Sequence, residues 1–134
     1  MEIKKEYPPN INEITKHFPL TIDVVFTYGD IIYSPASLDI PKHLFIHEQT
    51  HSKQQLVMGV DKWWSKYFED SDFRLNQEVE AYAAQYKQFC KDKKNIERQY
   101  LFLDLISRDL SSNLYGNLVD YNTAKNLIKS YEVK

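Results

Sequence analysis

Between Pro41 and Gly59 the chain contains neither glycine nor proline, in a sequence whose 134 residues include only 3 Gly and 5 Pro. A stretch that long without a breaker exceeds what a strand uses and predicts a helix over residues 40–58. Asp39 stands just before Pro41, in the order expected of a capping residue and a first-turn proline. The rest of the chain has to be arranged around this helix.

Upstream, Pro8-Pro9-Asn10 reads as a stop followed by a helix start. Asn10 is the expected cap, with Glu13 three residues on and Ile11, Ile14 and Phe18 on one face, and Pro19 ends the helix. Thr21 to Tyr28 is β-branched and aromatic, Gly29-Asp30 is a turn signal, and Ile31-Ile32-Tyr33 resumes the pattern. That is a β-hairpin signature.

Downstream, Val60, Trp63, Trp64, Tyr67 and Phe68 recur at helical spacing, and Glu69-Asp70-Ser71-Asp72 is expected to be a turn. A third long helix is predicted from Phe73 to Lys91, with Leu75, Val79, Tyr82, Ala83, Tyr86 and Phe89 as its apolar stripe. A fourth covers Ile96 to Leu110, and Tyr121 to Tyr131 reads as a last one. The tail from Ser130 to Lys134 is expected to fray. The expected class is α+β, mostly α, in one domain over residues 1–134.

Charge narrows the functions open to such a chain. Seventeen basic residues against nineteen acidic give a net charge of −2, and no basic run offers the footprint of a nucleic-acid binder. No run approaches the ~18 apolar residues of a membrane span. The start, Met1 to Tyr7, is charged and lacks the apolar stretch of a signal peptide, and Cys90 is the single cysteine. Both point to a cytoplasmic location.

The predicted central helix contains His47-Glu48-Gln49-Thr50-His51. At about 100° per residue, positions four apart lie within about 40° around the axis, so both imidazoles project from one face and can grip one zinc ion. Glu48 lies on the flank of that face, placed to meet a water rather than the metal. For this composition a chance match is expected roughly 0.01 times. His43 shares the stripe, but it stands about 12 Å along the axis from His51. The two cannot share an ion with His47, and His43 is left behind the ligands or at the surface.

Zinc at a catalytic site needs a third protein ligand. No histidine follows His51, and Cys90 has no partner motif, so a carboxylate is expected. Glu78 and Glu80 in the third long helix are about 200° apart around it. Glu78 shares a face with Leu75 and Tyr82, whereas Glu80 points toward solvent, and the small Ala81 would let this helix approach closely. Glu78 is therefore the expected third ligand.

His47-Glu48-x-x-His51 followed by Glu78-x-x-Ala81 resembles the gluzincin branch of zinc metallopeptidases over residues 44–86. The wider pattern is similar to small uncharacterised phage and prophage proteins: the hairpin with Tyr28-Gly29-Asp30 and Ile32-Tyr33, Gln54-Gln55, Trp63-Trp64 and Phe73-Arg74-Leu75. This resemblance implies a zincin-like core in a single minimal metallopeptidase-like domain, working in the host cell. It implies one zinc per chain and hydrolysis of a protein or peptide substrate by a metal-activated water. Glu48 would be the general base. Tyr82 and Tyr115 are the candidate donors to a developing oxyanion. Several gluzincins carry Asp or Asn directly after the alanine. This chain has Tyr82 there, which leaves the partner that orients the ligating histidines unassigned.

Other residues carry two readings each. The Trp63-Trp64-Tyr67-Phe68 cluster could be core or the wall of an apolar pocket. Arg74, four residues before Glu78, could orient it or lie on the surface. Gln54 and Gln55 could support the ligands or form a polar face. The alternatives to an enzyme are a zinc-binding structural or interaction protein without turnover, and a helical protein with a coincidental motif.

Overall fold

The computed structural model describes residues 1–133. Six α-helices and three short strands follow in the order β1 (Glu2–Lys4), α1 (Ile11–His17), β2 (Phe26–Tyr28), β3 (Ile31–Tyr33), α2 (Lys42–Met58), α3 (Val60–Glu69), α4 (Ser71–Asp92), α5 (Ile96–Leu110) and α6 (Tyr121–Ser130). One turn of 3₁₀ helix, Asn113–Tyr115, links the last two. The fold is α+β and mostly α, with one small sheet.

The hairpin forms around Gly29-Asp30, but its first strand is only Phe26–Tyr28. Thr21 to Val25, expected to be strand, is loop, because the three-residue β3 offers it no partner beyond Phe26. The other edge of β3 is taken by β1, which pairs parallel to it with Ile3 opposite Ile32. Glu2-Ile3-Lys4 is too short to signal a strand by alternation. β3 is thus the central strand, and Ile32 on it is fully buried.

Two caps differ from expectation. The Asn10 side chain makes no capping bond to α1, and α2 begins at Lys42 with Pro41, not Asp39, at the cap position. Between α3 and α4 the expected four-residue turn shrinks to Asp70. Its carboxylate caps α4 by accepting from the Phe73 amide at 3.0 Å, so α4 starts at Ser71, two residues earlier than the expected Phe73. Gly59 joins α2 directly to α3 at φ +97°, a conformation that only glycine adopts without strain. At the C-terminus, Tyr131 is docked rather than frayed, its hydroxyl donating to Glu80 at 3.2 Å. Lys134 lies outside the described residues.

Two apolar clusters hold the helices. One gathers Val79, Tyr82, Phe102, Leu103, Ile106 and Ile128 from α4, α5 and α6. The other packs Ile14, Phe26 and Tyr33 against Trp63, Trp64 and Tyr67, so the aromatic run of α3 is core, and Trp63, Trp64 and Tyr67 also line a cavity, so both of its readings hold. Helix α2 gives only its last residue, Met58, to the second cluster. Its buried residues are His47, Glu48, His51 and Gln55, all polar, while its Leu56 and Val57 are 85% and 90% exposed. Burying such a face is unfavourable unless each group finds a partner. Gln55, completely buried, finds two: its amide donates to the Thr27 carbonyl at 2.9 Å and accepts from the Gly29 amide at 2.7 Å. These bonds clamp α2 to the hairpin.

Candidate metal centre

His47 and His51 stand one turn apart on α2, and Glu78 comes from α4. Their facing atoms form a nearly equilateral triangle. His47 Nε2 to His51 Nε2, His47 Nε2 to Glu78 Oε1 and His51 Nε2 to Glu78 Oε1 each measure 3.2 Å. All three side chains are buried, and together they are close enough to hold one metal ion.

Each corner is fixed from behind. His51 Nδ1 lies 2.8 Å from Gln54 Oε1. The Gln54 amide nitrogen donates to the Gln77 carbonyl at 3.1 Å and to Glu80 at 2.7 Å, which leaves its oxygen to face the imidazole. His51 Nδ1 must then carry the proton, and its Nε2 presents a lone pair to the triangle. His47 Nδ1 meets Gln85 Oε1 at 2.8 Å in the same way, and the Gln85 amide nitrogen donates to His43 Nδ1 at 3.0 Å. The second oxygen of Glu78 accepts from the Tyr67 hydroxyl at 2.6 Å.

Three acceptor atoms 3.2 Å apart repel one another unless a cation sits among them. Without a metal, that cation is a proton. Burial alone would lower the His51 pKa, but the adjacent Glu78 carboxylate outweighs it and raises it to about 9. Glu78 is affected in reverse: burial favours its neutral form, yet His51 and His47 hold it well below the usual carboxylate range. A divalent ion could take the place of that proton and would satisfy all three ligand atoms.

Glu48 lies beside the triangle and outside it, with Oε2 3.8 Å from His47 Nε2. Its Oε1 accepts from the Thr27 hydroxyl at 3.0 Å. Burial raises its pKa, opposed by the two histidines and by the Thr27 bond. The same residues open on a cavity of about 470 Å³.

The expected oxyanion donors, Tyr82 and Tyr115, both line this cavity and are bonded to each other, hydroxyl to hydroxyl, at 2.6 Å. The Tyr82 ring stands edge-on to His47 at 4.5 Å. Burial raises both phenols well above their ordinary range, so both keep their protons. With one hydroxyl donating to the other, a single O–H remains to serve a third group.

Two expectations are corrected. Arg74 is buried and makes no bond to Glu78. Its guanidinium donates to the Tyr67 carbonyl at 2.6 Å and the Tyr115 carbonyl at 2.9 Å, tying the end of α3 to the 3₁₀ turn. The open carbonyls at a helix C-terminus attract it, while Glu78 is already held by the histidines and Tyr67. Glu80 does not point into solvent; it is half-buried between Gln54 and Tyr131. His43 stands behind Gln85, as one of its two readings expected, and His17 stacks on Phe68 at 4.5 Å, apart from the cluster.

Gln85, Tyr67 and Thr27 are the supporting residues that sequence reasoning did not reach. Gln85 had a signal. It lies seven residues after Glu78, between Tyr82 and Phe89 on the apolar stripe, where an amide is out of place unless it has buried partners. Tyr67 and Thr27 act across the fold and left no local trace.

Compared with protein-family models, with curated proteins and with solved structures, the chain matches none. No helix among the described residues is long and apolar enough to cross a membrane.

Proposed function

We propose that this chain is a small zinc peptidase of the gluzincin type, with His47, His51 and Glu78 as metal ligands and Glu48 as general base. The observation that carries the proposal is the buried triangle of two imidazole nitrogens and one carboxylate oxygen, with a further carboxylate beside it at an open cavity. Tetrahedral zinc holds nitrogen and oxygen ligands at about 2.0–2.1 Å, which puts them about 3.3–3.4 Å from one another. The 3.2 Å spacing fits that demand. Two imidazoles and one carboxylate are also the donor set of catalytic rather than structural zinc, which keeps one position open.

Zinc bound there supplies Lewis-acid chemistry, acidifying water and polarising a carbonyl. The chain's own groups do the rest. Thr27 fixes one oxygen of Glu48 and leaves Oε2 free on the triangle side. Burial makes this carboxylate a stronger base than one in water, suited to take a proton from water and deliver it to a departing amine. The Tyr82–Tyr115 pair offers one O–H toward the cavity for the oxygen of a reacting carbonyl.

A second reading has its own support. The fully buried side chains of α2 are all polar, so an ion at the triangle would also fasten α2 to α4, as in a zinc-binding protein without turnover. The two readings part on one experiment. The zinc-loaded chain is incubated with a mixed peptide library and cleavage is followed by mass spectrometry, alongside Glu48→Gln. The peptidase reading expects cleavage by the wild type and loss of at least a hundredfold in Glu48→Gln, with zinc retained. Equal cleavage by both proteins, or none by either, overturns it.

A further inference from the structure

The cavity in front of the triangle is uneven in charge. Asp23, Glu48, Glu78 and Asp109 line it, and among the described residues no lysine or arginine does. Glu48 and Glu78 have the histidines beside them. Asp109, on α5, feels His47 only at a distance, without an ion pair. It is half-buried, and among the described residues no donor or cation reaches its carboxylate. The adjacent Arg108 is turned away, bonded to Asp104 at 3.1 Å. Burial raises the Asp109 pKa, and the one charge lowering it is His47, in the site itself. Its neighbours on the cavity wall, Phe102, Leu105, Ile106 and Leu114, are apolar. A partly desolvated carboxylate without a partner is costly, and in a cleft it marks a place where a ligand completes the charge.

We infer that Asp109 is a specificity residue that receives a basic side chain of the substrate, so that the cavity selects peptides carrying lysine or arginine among apolar residues. This rests on the peptidase reading above. The apolar wall takes the stem of such a side chain while the carboxylate meets its charged end.

The test uses acetylated tripeptide hydroxamates, leucine throughout except for one position at a time bearing lysine, norleucine or glutamate. The hydroxamate anchors on the metal, so binding to the zinc-loaded protein is measured without turnover. At one position lysine is expected to bind about tenfold tighter than norleucine, the strength of one charge-assisted hydrogen bond, with glutamate weakest. Asp109→Asn should abolish that preference and leave norleucine binding within about twofold, which also certifies the fold. Asp109→Lys should reverse it in favour of glutamate. Binding of all compounds without a lysine preference, or a preference that survives in Asp109→Asn, overturns the role of Asp109 and leaves the metal centre standing. Failure of every hydroxamate to bind overturns both.

Discussion

Gln85 offers a sharp test of how the centre is built. It is buried on α4, accepting from His47 Nδ1 at 2.8 Å and donating to His43 at 3.0 Å. Gln85→Met keeps an unbranched side chain of similar length and removes both bonds. Once His47 Nε2 holds a metal, its Nδ1 must carry a proton, and in the variant that proton has no acceptor. An unsatisfied buried donor costs about 1–3 kcal/mol. Partners of this kind behind a ligating histidine are worth about 10–100-fold in metal affinity, or about 1.4–2.7 kcal/mol. The two routes agree, so zinc should bind Gln85→Met at least tenfold more weakly in a chelator competition near neutral pH. Gln85→Glu keeps the acceptor and adds charge, and should bind at least as tightly as the wild type. A Gln85→Met affinity within twofold of wild type would refute the argument that Gln85 positions His47.

The metal-free protein should show a pH dependence set by the His51–Glu78 pair. A histidine raised from 6.5 to about 9 stabilises the fold fully below about pH 6.5 and loses that contribution as pH rises through 9. Glu78, lowered from 4.5, contributes above that value and loses its contribution only in acid. Thermal unfolding with chelator present should therefore be most resistant between about pH 4.5 and 6.5 and weaken toward pH 9, and a rise over the alkaline range would contradict the pairing. Gln55→Leu strips the Thr27 carbonyl and the Gly29 amide of their partners and should cost about 2–4 kcal/mol in urea unfolding. A loss under about 0.5 kcal/mol would mean that α2 is not clamped to the hairpin through this side chain. Gly59→Ala, forced to a positive φ, should cost about 1–3 kcal/mol by the same assay, with zinc affinity unchanged.

The His47–His51–Glu78 cluster was legible because the information is local or nearly so. Two histidines four apart need only a helix to meet, and the breaker-free run from Pro41 to Gly59 supplies it. Glu78 followed from the scarcity of other ligands and from its place on an apolar stripe. The supporting residues were another matter. Tyr67 looked like one more aromatic in a core cluster, which it also is, stacked on Trp63 at 4.8 Å. Its hydroxyl reaches Glu78 only because α3 and α4 fold back at Asp70. Arg74 followed the helical i, i+4 rule on paper, yet carbonyls brought near by tertiary structure proved the better acceptors. Thr21 to Val25 had strand composition and no strand to pair with, a partner no local pattern can supply. The polar buried face of α2 reverses the ordinary rule of amphipathic helices. Its fully buried residues are polar and its Leu56 and Val57 lie outside, and the hydrogen bonds made by Gln54, Gln55, Gln85 and Thr27 reconcile that with a folded chain.

The central claim is that His47, His51 and Glu78 hold a zinc ion with a position left for water. Zinc K-edge absorption on the reconstituted protein tests it most directly. The account predicts one zinc per chain, two imidazole nitrogens and one or two oxygens at about 2.0–2.1 Å, and a fall from two imidazoles to one, with weaker binding, in His51→Ala. No stoichiometric zinc, a shell of oxygens alone, or a sulfur ligand at about 2.3 Å from Cys90 would contradict it.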